Sequence, residues 1–289
     1  MTGVQTCALP ILITMIGEAH IEFFKTRDKI ADAKMEITDG LKDDGTFIFN
    51  GDEPLLQERA KKITQERETF GLHPENTIFA HSISGHRNHT EFTVEAWPDL
   101  TFSIPIMGEY NVVNALAALL VGRKFHVKPE IMQKALAHFQ VTANRTQWLI
   151  GDVGEQILSD VYNANPTAMK AVIHDFSEFT ATGRHIAVLG DMLELGEQSP
   201  ALHAGLAEAL DPKEVQVVYL YGSDMKALAD ALAAKYPADQ LHYYPLDDKE
   251  QMTRDLQNDV SHDDMVLLKA SHGLHLETVL SALVAGGRA

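Results

Sequence analysis

One cysteine in 289 residues, Cys7, leaves no partner for an internal disulfide, so the chain suits a reducing compartment and a cytoplasmic location is expected. No cysteine pair is there to hold a structural metal. Long apolar runs are also missing: the stretch 8–16 is broken by Pro10 and Thr14, is too short to cross a bilayer and has no basic segment ahead of it. Neither membrane insertion nor a secretory leader is expected. None of the 19 glycines is followed by lysine, which excludes a phosphate-cradling GxxxxGK(S/T) loop, and GxGxxG is missing too. Basic residues are outnumbered, 24 to 41, and the formal charge of −17 repels nucleic acid and anionic membranes. An anionic ligand must then be held locally, by arginines, lysines, helix N-termini or a metal.

What is present fits a globular chain of about two domains, with 45% hydrophobic residues and no repeats. Up to residue 139 the pattern is mixed. A strand-like run over 13–19 ends in His20. The spacing predicts a helix over 27–41, a strand at 47–49 closed by the Asn50-Gly51-Asp52 turn, and a polar helix from 53 to about 69. Alternation at 91–96 and 100–104 predicts an antiparallel pair turned at Trp97-Pro98-Asp99, and 111–121 reads as a buried helix. From about 142 strands and helices alternate strictly. Strands are predicted at 156–161, 185–190, 215–222, 241–246 and 265–270, and two of the helices open on Pro166 and Pro200. That rhythm implies a parallel, Rossmann-like sheet, whose ligands sit beyond the carboxyl ends of the strands.

Lys34 stands out within the predicted 27–41 helix. Ile30, Ala33, Ile37 and Leu41 mark one apolar stripe, and Lys34 falls inside it. Such a lysine must snorkel to the surface, meet a carboxylate, or work as a neutral amine. Asn111 and Asn114 share a helix face, as a cap and a buried contact or as two amides able to read an adenine edge. Asn163, Asn165 and Pro166 could be only an Asx turn into a helix. Asp191, Glu194 and Glu197 could suggest a metal cluster, but they read better as a solvated loop before the Ser199-Pro200 helix start. The other histidines, His81, His86 and His89 among them, show no metal spacing.

Seven segments carry a family likeness: GEAHIEFF (17–24), ADAKMEI (31–37), GEYNVVNALAALL (108–120), ANRTQW (143–148), LSDVYNANP (158–166), VLGDMLELGE (188–197) and LLKASHGLHLE (267–277). Together they resemble the Mur ligases, the ATP-dependent amide ligases of peptidoglycan precursor synthesis, over nearly everything after residue 12. The resemblance implies an α/β fold in which 12–141 is the latter part of the central ATPase domain and 142–289 a complete Rossmann-like C-terminal domain. Residues 1–11 fall outside it and read as a non-native leader. A native start upstream, carrying the phosphate loop and a uridine-nucleotide-binding domain, is expected, and the chain alone is expected to be inactive.

Within the family, YNANP with GDMLELGE, and no DNPR sequence, implies the branch that adds D-alanyl-D-alanine to UDP-N-acetylmuramoyl-tripeptide. The resemblance further implies ATP and Mg²⁺, with the metal held by His20 and by Lys34 as a carbamate; a monomer is expected. Asn111, Asn114, Arg145 and Asp160 would hold ATP. Asn163, Asn165, Lys269, Ser271 and His272 would hold substrate. The sequence departs from the family at Met15 (usually asparagine), Tyr110 (histidine), Asn144 and Ala270 (glycine) and His272 (arginine). A related ligase, such as a folylpolyglutamate synthetase or another Mur ligase, and a non-catalytic nucleotide-binding module remain the alternatives.

Overall fold

The computed structural model describes residues 10–18, 20–140 and 145–284. Of these, residues up to Gly17 and from Phe24 to Gln140 form one compact unit, and those from Glu18 to Phe23 and after 144 form a second. The expected leader lies almost wholly outside the described residues, as does the expected 141–142 boundary. The second unit also takes in the short 18–23 segment, which the sequence reading places in the first domain.

The first unit is built on a six-stranded sheet in sequence order: β1 (Ile11–Ile13), β2 (Thr46–Asn50), β3 (Glu66–Gly71), β4 (Ile78–Gly85), β5 (Thr90–Val94) and β6 (Trp97–Ile104). β1 to β4 run parallel, and β4 to β6 form an antiparallel meander. Helix α1 (Ile21–Phe24) falls mostly in the 18–23 segment of the second unit; in the first, α2 (Arg27–Met35) precedes β2, α3 (Pro54–Ala60) precedes β3, and α4 (Glu109–Lys124) and α5 (Pro129–His138) follow β6. Gly108, at φ +100°, supplies the turn into α4 that a side chain would strain. α4 then buries Val112, Leu116, Leu119 and Leu120, in a unit whose sheet buries Phe47, Ile48, Phe70, Phe92 and Phe102.

Four expectations here need correction. The strand-like run over 13–19 is a strand only at its first residue: β1 ends at Ile13, and residues 14–18 pair with no strand. The 27–41 helix stops at Met35, where Thr38 Oγ1 donates to the Met35 carbonyl at 2.6 Å and a 3₁₀ turn, Glu36–Gly40, takes over. The apolar stripe therefore does not persist: Ile30 is buried but Ile37 is 55% exposed. The 53–69 helix stops at Ala60, because the polar residues from Glu66 onward pair along β2 as β3; ladder pairing overrides local propensity. Trp97-Pro98-Asp99 is not a turn but the start of β6, an edge strand in which proline lacks no needed donor.

The second unit's sheet has the order β11-β10-β9-β12-β8-β7, formed by β7 (Gln147–Ile150), β8 (Gln156–Asp160), β9 (His185–Gly190), β10 (Val217–Tyr221), β11 (Leu241–Tyr244) and β12 (Met265–Lys269). All neighbours are parallel except the edge pair β7 and β8. Its helices are α6 (Pro166–Ser177), α7 (Ser199–Ala204), α8 (Met225–Leu232), α9 (Lys249–Asp259) and α10 (Glu277–Val284). Val188, Tyr219, Val266 and Leu268 face α9 and α10 in one apolar cluster, while α6 and α8 lie outside that cluster and pack on β12 and β10. Helices on both faces explain why the strands read as continuous apolar runs. No helix among the described residues is long and apolar enough to cross a membrane.

At the amino ends of these strands Asp264, 2% exposed, acts as a knot. Its carboxylate accepts from the Arg184 guanidinium at 2.7 Å, the Arg184 amide at 2.8 Å and the Ser261 amide at 2.9 Å. Burial alone would raise its pKa, but Arg184 and the two amides outweigh that and hold it below the usual carboxylate value. A lowered native pKa means that the unfolded chain takes up the proton first, so this stability is complete above the unfolded pKa, about 4, and is lost as pH falls below it. Asp264→Asn should cost about 3 kcal/mol at pH 7, and the gap to the parent chain should narrow as pH drops towards about 3, as read by urea unfolding at each pH. A gap independent of pH would assign the knot to shape rather than charge.

Candidate functional site

The carboxyl ends of β8 and β12 are adjacent and in register, Asp160 opposite Lys269. Lys269 is 1% exposed, and its Nζ donates to Asp160 Oδ2 at 2.5 Å and to the Asn163 carbonyl at 2.9 Å. Burying an ammonium is tolerable only with such partners. The other Asp160 oxygen accepts the Thr146 amide at 3.3 Å. Lys269 therefore holds Asp160 and the YNANP loop in place, and its own side chain is turned inward. Asn165 Oδ1 accepts the Ala168 amide at 2.9 Å as the N-cap of α6, with Pro166 in the first turn, so the Asx reading describes this residue. Asn163 is exposed at the loop's outer side.

The loops after β9 and β12 are tied to each other. Ser271 is buried; its amide donates to the Asp191 carbonyl at 3.2 Å and its Oγ accepts the Leu193 amide at 2.9 Å. Asp191 is not part of a solvated loop as expected. It is 3% exposed, accepts the Asp224 and Met225 amides at 3.1 and 2.9 Å, and occupies the space that Gly222, at φ +127°, leaves by lacking a side chain. Burial raises the Asp191 pKa, and the two amides pull it back only in part. His203, fully buried, accepts the Met192 amide on Nε2 at 2.9 Å and directs Nδ1 to the Ser199 carbonyl at 2.7 Å. Those contacts specify one neutral tautomer.

Above this framework the exposed groups gather. The Arg145 guanidinium lies 4.1 Å from the centre of the Tyr162 ring, and His272 meets the same ring edge-on at 5.7 Å. His20, in the 18–23 segment, binds Glu194 through Nδ1, and both residues adopt positive φ, 62° and 63°. Two left-handed non-glycine residues held against each other are costly unless the surroundings enforce them. Here the Glu22 amide donates to the Glu194 carbonyl at 3.0 Å and Thr167 Oγ1 donates to Glu18 at 2.9 Å, so the segment is bound at both ends.

In the first unit Lys34 is exposed as a whole residue. Its Nζ nevertheless donates to the Met15 carbonyl at 2.9 Å, and desolvation there lowers its pKa below the usual lysine value. Asn111 is not the cap of α4, a place taken by Gly108; its amide donates to the Met107 carbonyl at 2.7 Å. Asn114 lies one turn on and is exposed, rather than a buried contact.

Residues 10–122 match the family model of the Mur ligase middle domain, and residues 144–272 match that of the Mur ligase glutamate ligase domain. The chain belongs to the Mur ligase family. A curated relative, the UDP-N-acetylmuramoyl-tripeptide–D-alanyl-D-alanine ligase of Bacillus subtilis, is 35% identical over 273 residues, covering 94% of this chain and 58% of its own length. The crystal structure of MurF from Acinetobacter baumannii superposes with a TM-score of 0.81 at 25% identity, over 94% of this chain and 58% of that one. MurF from Thermotoga maritima, solved in complex with ADP, gives 0.76 at 27% identity, over 96% and 61%. The chain thus spans somewhat under two thirds of the Mur ligases it matches.

Two members of this candidate site were not assigned to it from the sequence. Tyr162 sits inside YNANP, where an exposed aromatic beside two asparagines was the available signal. Glu194 as the partner of His20 had none, since 174 residues separate them. The ion pair beneath the site makes a direct test. Lys269→Met and Asp160→Asn should each destabilise by about 3 kcal/mol, because each leaves a buried polar partner unmatched. The double variant should cost less than the sum, with a coupling of about 1–3 kcal/mol from equilibrium unfolding. Additive losses would mean that the two groups are independent.

Proposed function

We propose that this chain supplies the nucleotide-handling and acceptor-handling parts of a ligase that joins D-alanyl-D-alanine to UDP-N-acetylmuramoyl-tripeptide, driven by ATP. The observation that carries this reading is the 35% identity to a ligase of that name, over 273 residues that run through both units. A carboxylate is a poor electrophile. Transfer of the γ-phosphoryl group to the tripeptide's terminal carboxylate makes an acyl phosphate; the dipeptide amine attacks its carbonyl, phosphate leaves with the C–O bond electrons, and the amine loses a proton.

Each residue's part follows from its surroundings. Asp160, already oriented by Lys269 and Thr146, keeps lone pairs for a ribose hydroxyl. Arg145, over the Tyr162 ring, is steadied for a phosphate. Asn114, exposed one turn from Asn111, offers its amide to an adenine edge. Asn163 and His272 are the exposed polar groups for the acceptor dipeptide, whereas Asn165 and Ser271 shape the loops that carry them. Magnesium is implied by the family, and two donors fit it on their own surroundings. His20 has Nδ1 engaged by Glu194, which leaves Nε2 and supplies the carboxylate support common behind metal-bound histidine. Lys34, its pKa lowered, adds as a neutral amine to carbon dioxide with loss of a proton, giving an oxygen donor of the kind magnesium takes. Such an ion would neutralise charge on the transferring phosphoryl group.

For Lys34, ¹³C NMR of the 289-residue chain in labelled bicarbonate should reveal a carbamate carbon that Lys34→Gln removes; no signal, or one surviving the substitution, would rule the carbamate out. The reaction itself is tested in a chimera in which residues 12–289 replace the matching part of the Bacillus subtilis ligase. ADP release should require both the tripeptide nucleotide and D-alanyl-D-alanine. Turnover with a different amine acceptor, or ATP hydrolysis indifferent to the dipeptide, would overturn the assignment.

A further inference from the structure

The β4–β5 hairpin carries a group of side chains that the proposed reaction leaves unused. His86 and His89 flank its tip and Glu91 follows inside β5. Side chains two apart along an extended strand leave from the same face, so His89 and Glu91 stand together, with Nε2 of the one 3.8 Å from Oε1 of the other. The His86 amide donates to the His89 carbonyl at 2.9 Å, closing the tip. That closure lays the two imidazoles face to face, centroids 4.4 Å apart and planes within 14°. Ser84 Oγ lies 3.3 Å from His86 Nε2, a hydroxyl able to steady that ring.

One ligand atom from each of His86, His89 and Glu91 lies within 4.8 Å of the other two. Around a tetrahedral ion with bonds of about 2.0–2.1 Å the donors stand roughly 3.4 Å apart, and each imidazole lone pair lies in its ring plane, so the two rings must turn out of their stack to converge on one ion. His89 and Glu91 side chains are 42% and 48% exposed, which leaves them free to turn and leaves room for water. The chemistry discriminates among ions. Two imidazoles and one carboxylate suit zinc, cobalt, nickel or copper, and serve magnesium or calcium poorly. Arg87, between the histidines, opposes any cation locally, while the formal charge of −17 favours one overall.

We infer that His86, His89 and Glu91 form a binding site for a divalent transition-metal ion of the zinc class, which clips the tip of the β4–β5 hairpin with water completing its coordination. The spacing H-x-x-H-x-E becomes meaningful only once the hairpin folds back.

The test uses the whole 289-residue chain. Zinc titrated by calorimetry should bind with one more equivalent in the parent chain than in His86→Ala/His89→Ala, and Glu91→Gln should weaken that equivalent by at least about tenfold. Cobalt should give a four-coordinate visible spectrum in the parent chain that the double variant lacks. A large excess of magnesium should not displace either ion. Metal-free melting temperatures check that the variants fold; should the double variant not, His89→Asn alone must lose the equivalent. His20→Ala serves as the control, since His20 with Glu194 is another zinc-capable pair: it must leave the hairpin equivalent intact. Equal stoichiometry and affinity in the parent and hairpin variants, displacement by magnesium, or loss of the equivalent in His20→Ala would overturn the assignment.

Discussion

A lysine ammonium buried at the end of a parallel strand is the constraint around which the second unit is arranged. Lys269 cannot remain charged there without the Asp160 carboxylate and the Asn163 carbonyl, and both lie on the neighbouring strand end or the loop that leaves it. Meeting its need fixes two motifs at once: the acidic residue that closes β8 and the YNANP loop beyond it. The segments leaving β8 and β12 then diverge, the first into α6 and the second into α10 on the face of the apolar cluster. Divergence of neighbouring connections marks the carboxyl ends, the common ligand position in sheets of this kind.

The loops at those carboxyl ends are tied to one another. Ser271 joins the loop after β12 to the loop after β9, Asp191 joins the latter to the turn after β10, and His203 closes the circuit from beneath. Each tie uses a group taken out of water, so each is expensive to break singly. Exposed groups such as Arg145, Tyr162, Asn163 and His272 are thereby carried on a framework that does not need to reorganise. Preorganisation of this sort is what the transfer proposed above would reward most.

The sequence was most legible where the chain is most repetitive. In the second unit strands buried on both faces are uniform apolar runs, punctuated by Asn165-Pro166 and by the Ser199-Pro200 start, and the predicted bounds of β8, β9, β10, β11 and β12 agree with the structure within two residues. β7 escaped because four residues at an edge carry little pattern. The first unit was harder: β3 is polar along most of its length and exists because β2 offers a ladder, while Pro98 signals a turn and yet lies in an edge strand. For the site, motif resemblance named residues but could not separate those that face outward from those that hold the frame. Asn165 and Lys269 look like ligand contacts in one dimension and are a helix cap and a buried counter-charge in three. Long-range pairs such as His20 with Glu194 leave no trace in local spacing.

β12 links the Asp264 knot at its base to the Lys269 pair at its tip through five consecutive residues, Met265–Lys269. Side chains alternate faces along a strand, so the insertion or loss of one residue between the two anchors would turn Lys269 from the Asp160 side into the apolar cluster of Val266 and Leu268. Substitutions within the strand change volume; a change of length reverses polarity. The strand is thus a ruler whose length in residues is under stronger physical constraint than any letter inside it, and homologous sequences should drift in the identity of its apolar residues while admitting no gaps there.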